Sequence, residues 1–137
     1  MNRSHEHAGT LLAKARDDAG MMRTLMAAPD SPDWGVGFHA QQAVEKAIKA
    51  VLSDRAVEYP RTHNLAPLMK LVRGAGVSSP PDEAEFANLT LYGAPSRYEA
   101  DADVGLGKGL DRVLVRGVVQ RTIAWAEGLL GKAGEKP

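Results

Sequence analysis

Amide, acid and amine side chains share one side of a single predicted helix, in the stretch 38–52. Gln42, Glu45, Lys46 and Lys49 lie opposite an apolar stripe with a period of about 3.6 residues. Glu45 precedes Lys49 by four residues, which is the favourable order for an ion pair on a helix surface. Ammonium groups can also bind phosphate. The stretch therefore predicts either a solvated ion-pair surface or an anion-binding site.

Apolar periodicity, together with proline and glycine positions, predicts four further helices. Ser31 or Asp33 is expected to cap the second helix, and Thr62 the third. Lys14, Arg16, Asp17, Asp18 and Arg23 are assigned to a surface strip of the first helix. The first predicted helix covers about 6–28, and the second runs from the Ser31 or Asp33 cap to about 54. The other three cover about 63–74, 81–92 and 108–130. The last is expected to place Leu110, Val113, Leu114, Val118, Trp125 and Leu129 in the core or an interface.

No segment of the sequence alternates apolar and polar residues as a strand would. The chain is therefore predicted to form one all-α domain over 1–137, with its core at about 8–130 and a tail at 131–137. We expect an up-and-down bundle of four to five helices joined by short links.

Composition excludes several classes of function. Seventeen basic and seventeen acidic residues cancel, which argues against binding nucleic acid mainly by phosphate neutralisation. The chain contains no cysteine, so thiol catalysis, disulfides and thiolate metal sites are excluded. The sequence lacks an apolar run of membrane-spanning length and the apolar core of a signal peptide. We expect a cytoplasmic protein that uses no membrane, metal or cofactor.

A segment of fifteen residues without helical period, 93–107, separates the last two predicted helices. It contains Arg97 and Tyr98. Loops of this length in a compact chain are often functional. If the loop folds back on the second helix, Arg97 together with Lys46 and Lys49 could bind a phosphate and Tyr98 could stack on a base.

The order of these pieces resembles the HEPN family (higher eukaryotes and prokaryotes nucleotide-binding domain). The matching pieces cover about 8–130, and they are Phe38-His-Ala-Gln-Gln-Ala-Val-Glu-Lys-Ala-Ile-Lys-Ala, Pro60-Arg-Thr-His-Asn-Leu, Leu89-Thr-Leu-Tyr, Ser96-Arg-Tyr and Ala124-Trp-Ala-Glu127. The resemblance implies a bundle of about five helices, two of them long and antiparallel, that often forms homodimers through helix faces. It also implies either a module paired with a minimal nucleotidyltransferase in a toxin–antitoxin-like system or, in another branch, a metal-independent ribonuclease.

The ribonuclease branch carries an Arg followed four to six residues later by a His near the start of its last helix. The four histidines here are His5, His7, His39 and His63, and none lies downstream of Arg97. Without an imidazole near that helix, no obvious general acid or base is available there. The sequence therefore favours binding over cleavage.

The resemblance carries seven residues into a hypothetical nucleotide or phosphate site. They are Gln42, Glu45, Lys46, Lys49, His63, Arg97 and Tyr98. The structural alternatives are a surface ion pair for Glu45 and Lys49, a helix-start role for His63, and a pairing of Arg97 with an acid. Two other functions stay open. One is an RNA-cleaving toxin using Glu45, Lys46 and His63 at an atypical site, and the other is a structural homo-oligomer.

Overall fold

The computed structural model describes residues 3–93 and 109–134, and within them every regular element is helical. These described residues form five α-helices, with a 3₁₀ turn at Glu83–Glu85 before the fourth. They are α1 (Arg3–Met26), α2 (Asp33–Asp54), α3 (Leu65–Gly74), α4 (Phe86–Thr90) and α5 (Arg112–Gly134). The predicted all-α fold class is confirmed.

Helices α1 and α2 are two long antiparallel helices, as the family resemblance implies, and α5 is as long as they are. Contacts between them pair early residues of one helix with late residues of the other. His5 binds Asp54 at one end, Asp18 binds Lys46 near the middle, and Leu25 lies against Gly35 at the other end. Helix α5 packs on both and runs antiparallel to α1, since Arg16 of α1 binds Glu127.

Helix α2 lies at the centre of the bundle. Its predicted apolar stripe is fully buried, from Val44 and Ala47 to Leu52. The opposite side is also covered, because Gln41, Gln42 and Glu45 are buried there and α2 packs against α1, α3, α4 and α5. A helix buried all round must find internal partners for its polar groups.

The helix ends differ from the predicted caps. Pro32 is the N-cap of α2, and neither Ser31 nor Asp33 caps it, because both side chains bind elsewhere. Helix α3 begins at Leu65 with Asn64 as its N-cap, while the Thr62 hydroxyl accepts a bond from the Asn64 N–H. Asp111, which the sequence reading did not single out, accepts a bond of 3.0 Å from the Leu114 N–H at the start of α5.

The predicted fourth helix is shorter than expected, and part of the predicted core is exposed. A regular α-helix occupies only Phe86–Thr90, after which the chain turns at 91–93. Leu114 is 39 % exposed and Val113 is 83 % exposed. Both residues therefore lie outside the core of this chain, and their predicted interface role stays a prediction.

Asp33 joins the start of α2 to the start of α5. Its carboxylate accepts bonds of 2.9 Å from the Leu110 N–H and from Arg112 Nε. The Arg112 guanidinium also donates to the Ser31 carbonyl at 2.6 Å. Partial burial alone raises the pKa of the Asp33 carboxyl, but the bonds from Leu110 and Arg112 and the charge of Arg112 outweigh it. The net effect lowers the pKa of Asp33.

This lowered pKa predicts a pH-dependent contribution to stability. Because the folded-state pKa is below the unfolded value, the contribution is present above the unfolded pKa of 3.8 and is lost as the pH falls through the folded pKa. Asp33→Asn should reduce the free energy of unfolding at neutral pH by less than about 1 kcal/mol, since the side chain is partly solvated. Urea unfolding of both proteins at pH 7 and below pH 3.8 would check this. A difference that does not shrink in acid would contradict it.

Candidate functional site

Glu45 on α2 is the centre of a buried polar network, which contradicts its predicted position on a solvated surface. Glu45 and Gln42 are 3 % and 8 % exposed. Their side of α2 is covered by the segment that leads into α3 and by the end of α4. The sequence pattern identified the polar stripe correctly but not its burial, because the covering elements come from distant parts of the chain.

Four side chains donate to the Glu45 carboxylate. The Lys49 ammonium binds Oε2 at 2.8 Å, and His63 Nδ1 lies 2.9 Å from Oε1. Gln41 Nε2 donates to Oε1 at 3.0 Å, and Gln42 Nε2 approaches the same atom at 3.5 Å. A buried carboxylate needs hydrogen-bond donors around it, and the Glu45 carboxylate fixes the positions of its donors in return.

Gln41 is a member of this network that the sequence reading missed. It is fully buried, accepts a bond of 2.7 Å from Gln42 and donates one of 2.7 Å to the His63 carbonyl. It thereby ties α2 to the link before α3. The motif contains two adjacent glutamines, and the pattern of a two-faced helix predicts only the second, Gln42, on the polar side. A helix buried on both sides makes the first one equally important.

Lys49 is held on two sides. Besides its bond to Glu45, its Nζ lies 5.4 Å from the centre of the Tyr59 ring, within range of a cation–π contact. Only 14 % of its side chain is exposed. His63, in contrast, is 58 % exposed although its Nδ1 is bound, so its other face is open to solvent.

Lys46 belongs to a second cluster, on the side of α2 that faces α1. Its Nζ lies 2.5 Å from Asp18 Oδ2, and His39 Nδ1 lies 3.0 Å from Oδ1 of the same carboxylate. Asp18, predicted on the surface, is 7 % exposed. A signal for its burial was present, because Asp18 follows Ala15 by three residues and precedes Met22 by four, and both of those are in the core.

The charges of the two clusters cancel. Asp18 and Glu45 supply two negative charges, and Lys46 and Lys49 supply two positive charges. With neutral histidines no positive charge is left over for a phosphate. Arg97 and Tyr98, which the sequence reading placed against this helix, lie outside the described residues. The structure thus brings together Gln42, Glu45, Lys49 and His63 in one cluster and puts Lys46 in the other.

The chain end that leads towards Arg97 and Tyr98 is fixed close to this network. A Cβ atom at Gly93 would lie 2.9 Å from the Gln41 Cδ, and one at Gly37 would lie 2.5 Å from the Tyr92 ring. Both contacts require glycine, since a methyl group would overlap a packed neighbour. The first described part of the chain therefore ends, at Gly93, against the buried amide of Gln41.

Comparison with known families matches residues 8–135 to the HEPN domain, nearly the whole chain. The chain belongs to the HEPN domain family. Neither the curated proteins nor the solved structures include a significant match to it. Among residues 3–93 and 109–134 of this HEPN domain, no helix combines the length and apolar character needed to cross a bilayer.

The histidines of this HEPN domain all precede α3. His5 and His39 bind the buried carboxylates of Asp54 and Asp18, and His63 binds Glu45. Helix α5 contains none, so it offers no imidazole for proton transfer. Among the groups described, His63 alone combines a bound Nδ1 with a side chain more than half exposed.

Proposed function

We propose that this HEPN domain is a non-catalytic interaction module that forms a homodimer and pairs with a minimal nucleotidyltransferase in a toxin–antitoxin-like system. One observation carries the non-catalytic part. Lys46 and Lys49, the two ammonium groups of the predicted site, each bind a buried carboxylate. Groups that satisfy one another in this way stabilise a fold and leave its outer surface for recognition.

Exposed apolar side chains support the interaction part. Met21, Trp34, Leu91, Val113 and Leu114 are each at least 36 % exposed. Trp34 and the pair Val113–Leu114 lie near the joined starts of α2 and α5, which Asp33 and Arg112 hold together. Apolar surface gathered at one end of a domain is typical of a contact with another protein.

Self-association at the start of α5 is therefore expected to depend on Val113 and Leu114. The double variant Val113→Asp/Leu114→Asp should shift the dimer towards monomer by at least about tenfold in dissociation constant, because burying carboxylates in an apolar contact is costly. Sedimentation equilibrium measures this, with Arg61→Asp/Lys70→Asp as a surface control. A wild-type chain that is monomeric at all concentrations would contradict the dimer.

Co-purification tests the second half of the proposal. The full chain is co-expressed with the nucleotidyltransferase whose gene neighbours its own, and the complex is isolated through a tag on the enzyme. Retention of the chain in equal amounts supports the pairing. If the chain is not retained with the enzyme but still forms a dimer in sedimentation, the structural homo-oligomer is favoured.

Nucleotide binding by Gln42, Glu45, Lys46, Lys49 and His63 with Arg97 and Tyr98 stays a prediction. A phosphate would have to compete with Asp18 and Glu45 for both ammonium groups. Calorimetric titration with ATP is expected to show no saturable binding below millimolar concentration. Saturable binding that Lys49→Ala removes would restore the site.

RNA cleavage is retained as a second candidate because of His63. Its bond to a buried carboxylate through Nδ1, with the other face of the ring exposed, is an arrangement that general bases use. Under our proposal, purified wild-type chain and His63→Ala leave an RNA substrate equally intact on a gel. Cleavage by the wild type that His63→Ala abolishes would establish the second candidate instead.

A further inference from the structure

A groove follows the line where α1 and α5 pack together. Two adjoining depressions of about 250 and 270 Å³ form it, and both have Arg23 in their walls. The floor of the first is apolar, since Ala19, Val119 and Ile123 are all in the buried core. The second continues along Met26, Ala27 and Arg116. From Arg16 to Ala27 the groove follows about 16 Å of α1.

The rim of this groove is basic. Arg16, Arg23 and Arg116 are exposed and contribute three guanidinium groups. Arg16 binds Glu127 at 2.8 Å. Neither Arg23 nor Arg116 has an acidic partner within 3–93 and 109–134. The groove therefore combines an apolar floor with about two uncompensated positive charges, in contrast to the neutral clusters on α2.

We propose that this groove binds an acidic amphipathic helix of a partner protein. The proposal rests on the interaction role proposed above, and it names the surface that the partner uses. A helix of about three turns matches the length of the groove. Its apolar side would pack on Ala19, Val119 and Ile123, and its acidic flanks would pair with Arg23 and Arg116.

The charge of the groove and the residues that line it favour an acidic helix over a second copy of the chain and over single-stranded nucleic acid. A second copy that docks through the same groove would bring Arg23 and Arg116 against their own equivalents, which is repulsive in a two-fold contact. Single-stranded nucleic acid would need aromatic surfaces for its bases, and the residues that line the two depressions include no aromatic side chain. The apolar floor also offers nothing to a phosphate backbone.

Fluorescence anisotropy on the full chain tests the groove directly. The probe is a labelled helix-forming peptide of about twelve residues, with leucines along one side and glutamates on both flanks. Arg23→Glu/Arg116→Glu is expected to weaken binding by at least about tenfold. The matched control, Arg61→Glu/Lys70→Glu, makes the same charge change at exposed positions on other elements and should alter binding by no more than about twofold.

Three results would overturn the proposal. The first is no binding to the wild type, or equal weakening in both variants. The second is tighter binding of a uridine oligonucleotide than of the peptide, with the oligonucleotide binding lost only in Arg23→Glu/Arg116→Glu. The third is a wild-type dimer that this variant alone dissociates, because a second copy would then fill the groove.

Co-purification separates this proposal from the proposed function. If the nucleotidyltransferase is retained equally by wild type and Arg23→Glu/Arg116→Glu, the partner binds elsewhere and the groove proposal fails while the pairing stands. If the peptide binds the groove but no nucleotidyltransferase is retained, the pairing fails and the groove stands as a site for another acidic helix.

Discussion

Replacing Glu45 by alanine is expected to lower the free energy of unfolding by about 3–5 kcal/mol, because it removes one partner of a buried ion pair. Lys49, 14 % exposed, would lose its carboxylate, and the Gln41 and Gln42 amides would lose an acceptor. Urea unfolding followed by circular dichroism measures the change. Glu58→Ala is the control, since Glu58 is exposed, and it should change stability by less than about 0.5 kcal/mol.

A double variant tests whether the stability lost in Glu45→Ala comes from the charge of Lys49 that is left unpaired. Replacing Glu45 and Lys49 together by leucine and methionine should cost less than Glu45→Ala, because no charge is then left buried alone. Similar stability for Glu45→Ala and the wild type would show that the carboxylate is solvated and that the network does not hold the fold.

The sequence was sufficient to predict where the long helices lie and insufficient to predict the burial of the polar side of α2. The spacing of Val44, Ile48 and Leu52 reports directly on the side of α2 that lies in the hydrophobic core. The burial of Glu45 depends on where the segment around His63 and the residues near Gly93 come to lie. Periodicity within one helix contains no information on such distant covering elements.

The predicted N-caps of α2 were wrong for a related reason. Ser31 and Asp33 have the right chemistry for an N-cap, but Arg112, about 80 residues later, binds both of them. A local rule ranks residues by the backbone groups next to them, whereas a long-range guanidinium offers a stronger charged partner. At Asn64 and Asp111 no such competitor is present among the described contacts, and the local rule holds there.

The structure changes how the family motif is interpreted in this chain. The conversion of Gln42, Glu45 and Lys49 from an outward stripe into a satisfied cluster removes the free cations that a nucleotide site on α2 requires. Arg23 and Arg116, beside the groove between α1 and α5, have no acidic partner among residues 3–93 and 109–134. An acidic partner can therefore pair with these two arginines without breaking a buried ion pair, which it would have to do at Lys49 on α2.

Gly37→Ala is expected to destabilise the fold by about 1–2 kcal/mol, although alanine is the better helix former. The added methyl group would lie 2.5 Å from the Tyr92 ring, which is 5 % exposed and cannot move without disturbing the core. Overpacking of this kind costs about 1–3 kcal/mol, and helix propensity offsets up to about 1 kcal/mol of it.

Gly128→Ala provides the matched control, because no atom lies within 4 Å of the Cβ position in this exposed part of α5. It should stabilise the fold by about 0.5–1 kcal/mol through helix propensity alone. Urea unfolding of the two variants should therefore give changes of opposite sign.

The physical cause can be isolated with Tyr92→Ala. In the Gly37→Ala/Tyr92→Ala double variant the overlap is gone, so Gly37→Ala should become neutral or stabilising in that background. If Gly37→Ala costs the same with and without the Tyr92 ring, the close approach of α2 to residues 91–93 does not determine the cost. Residues 91–93 would then not be anchored at this contact.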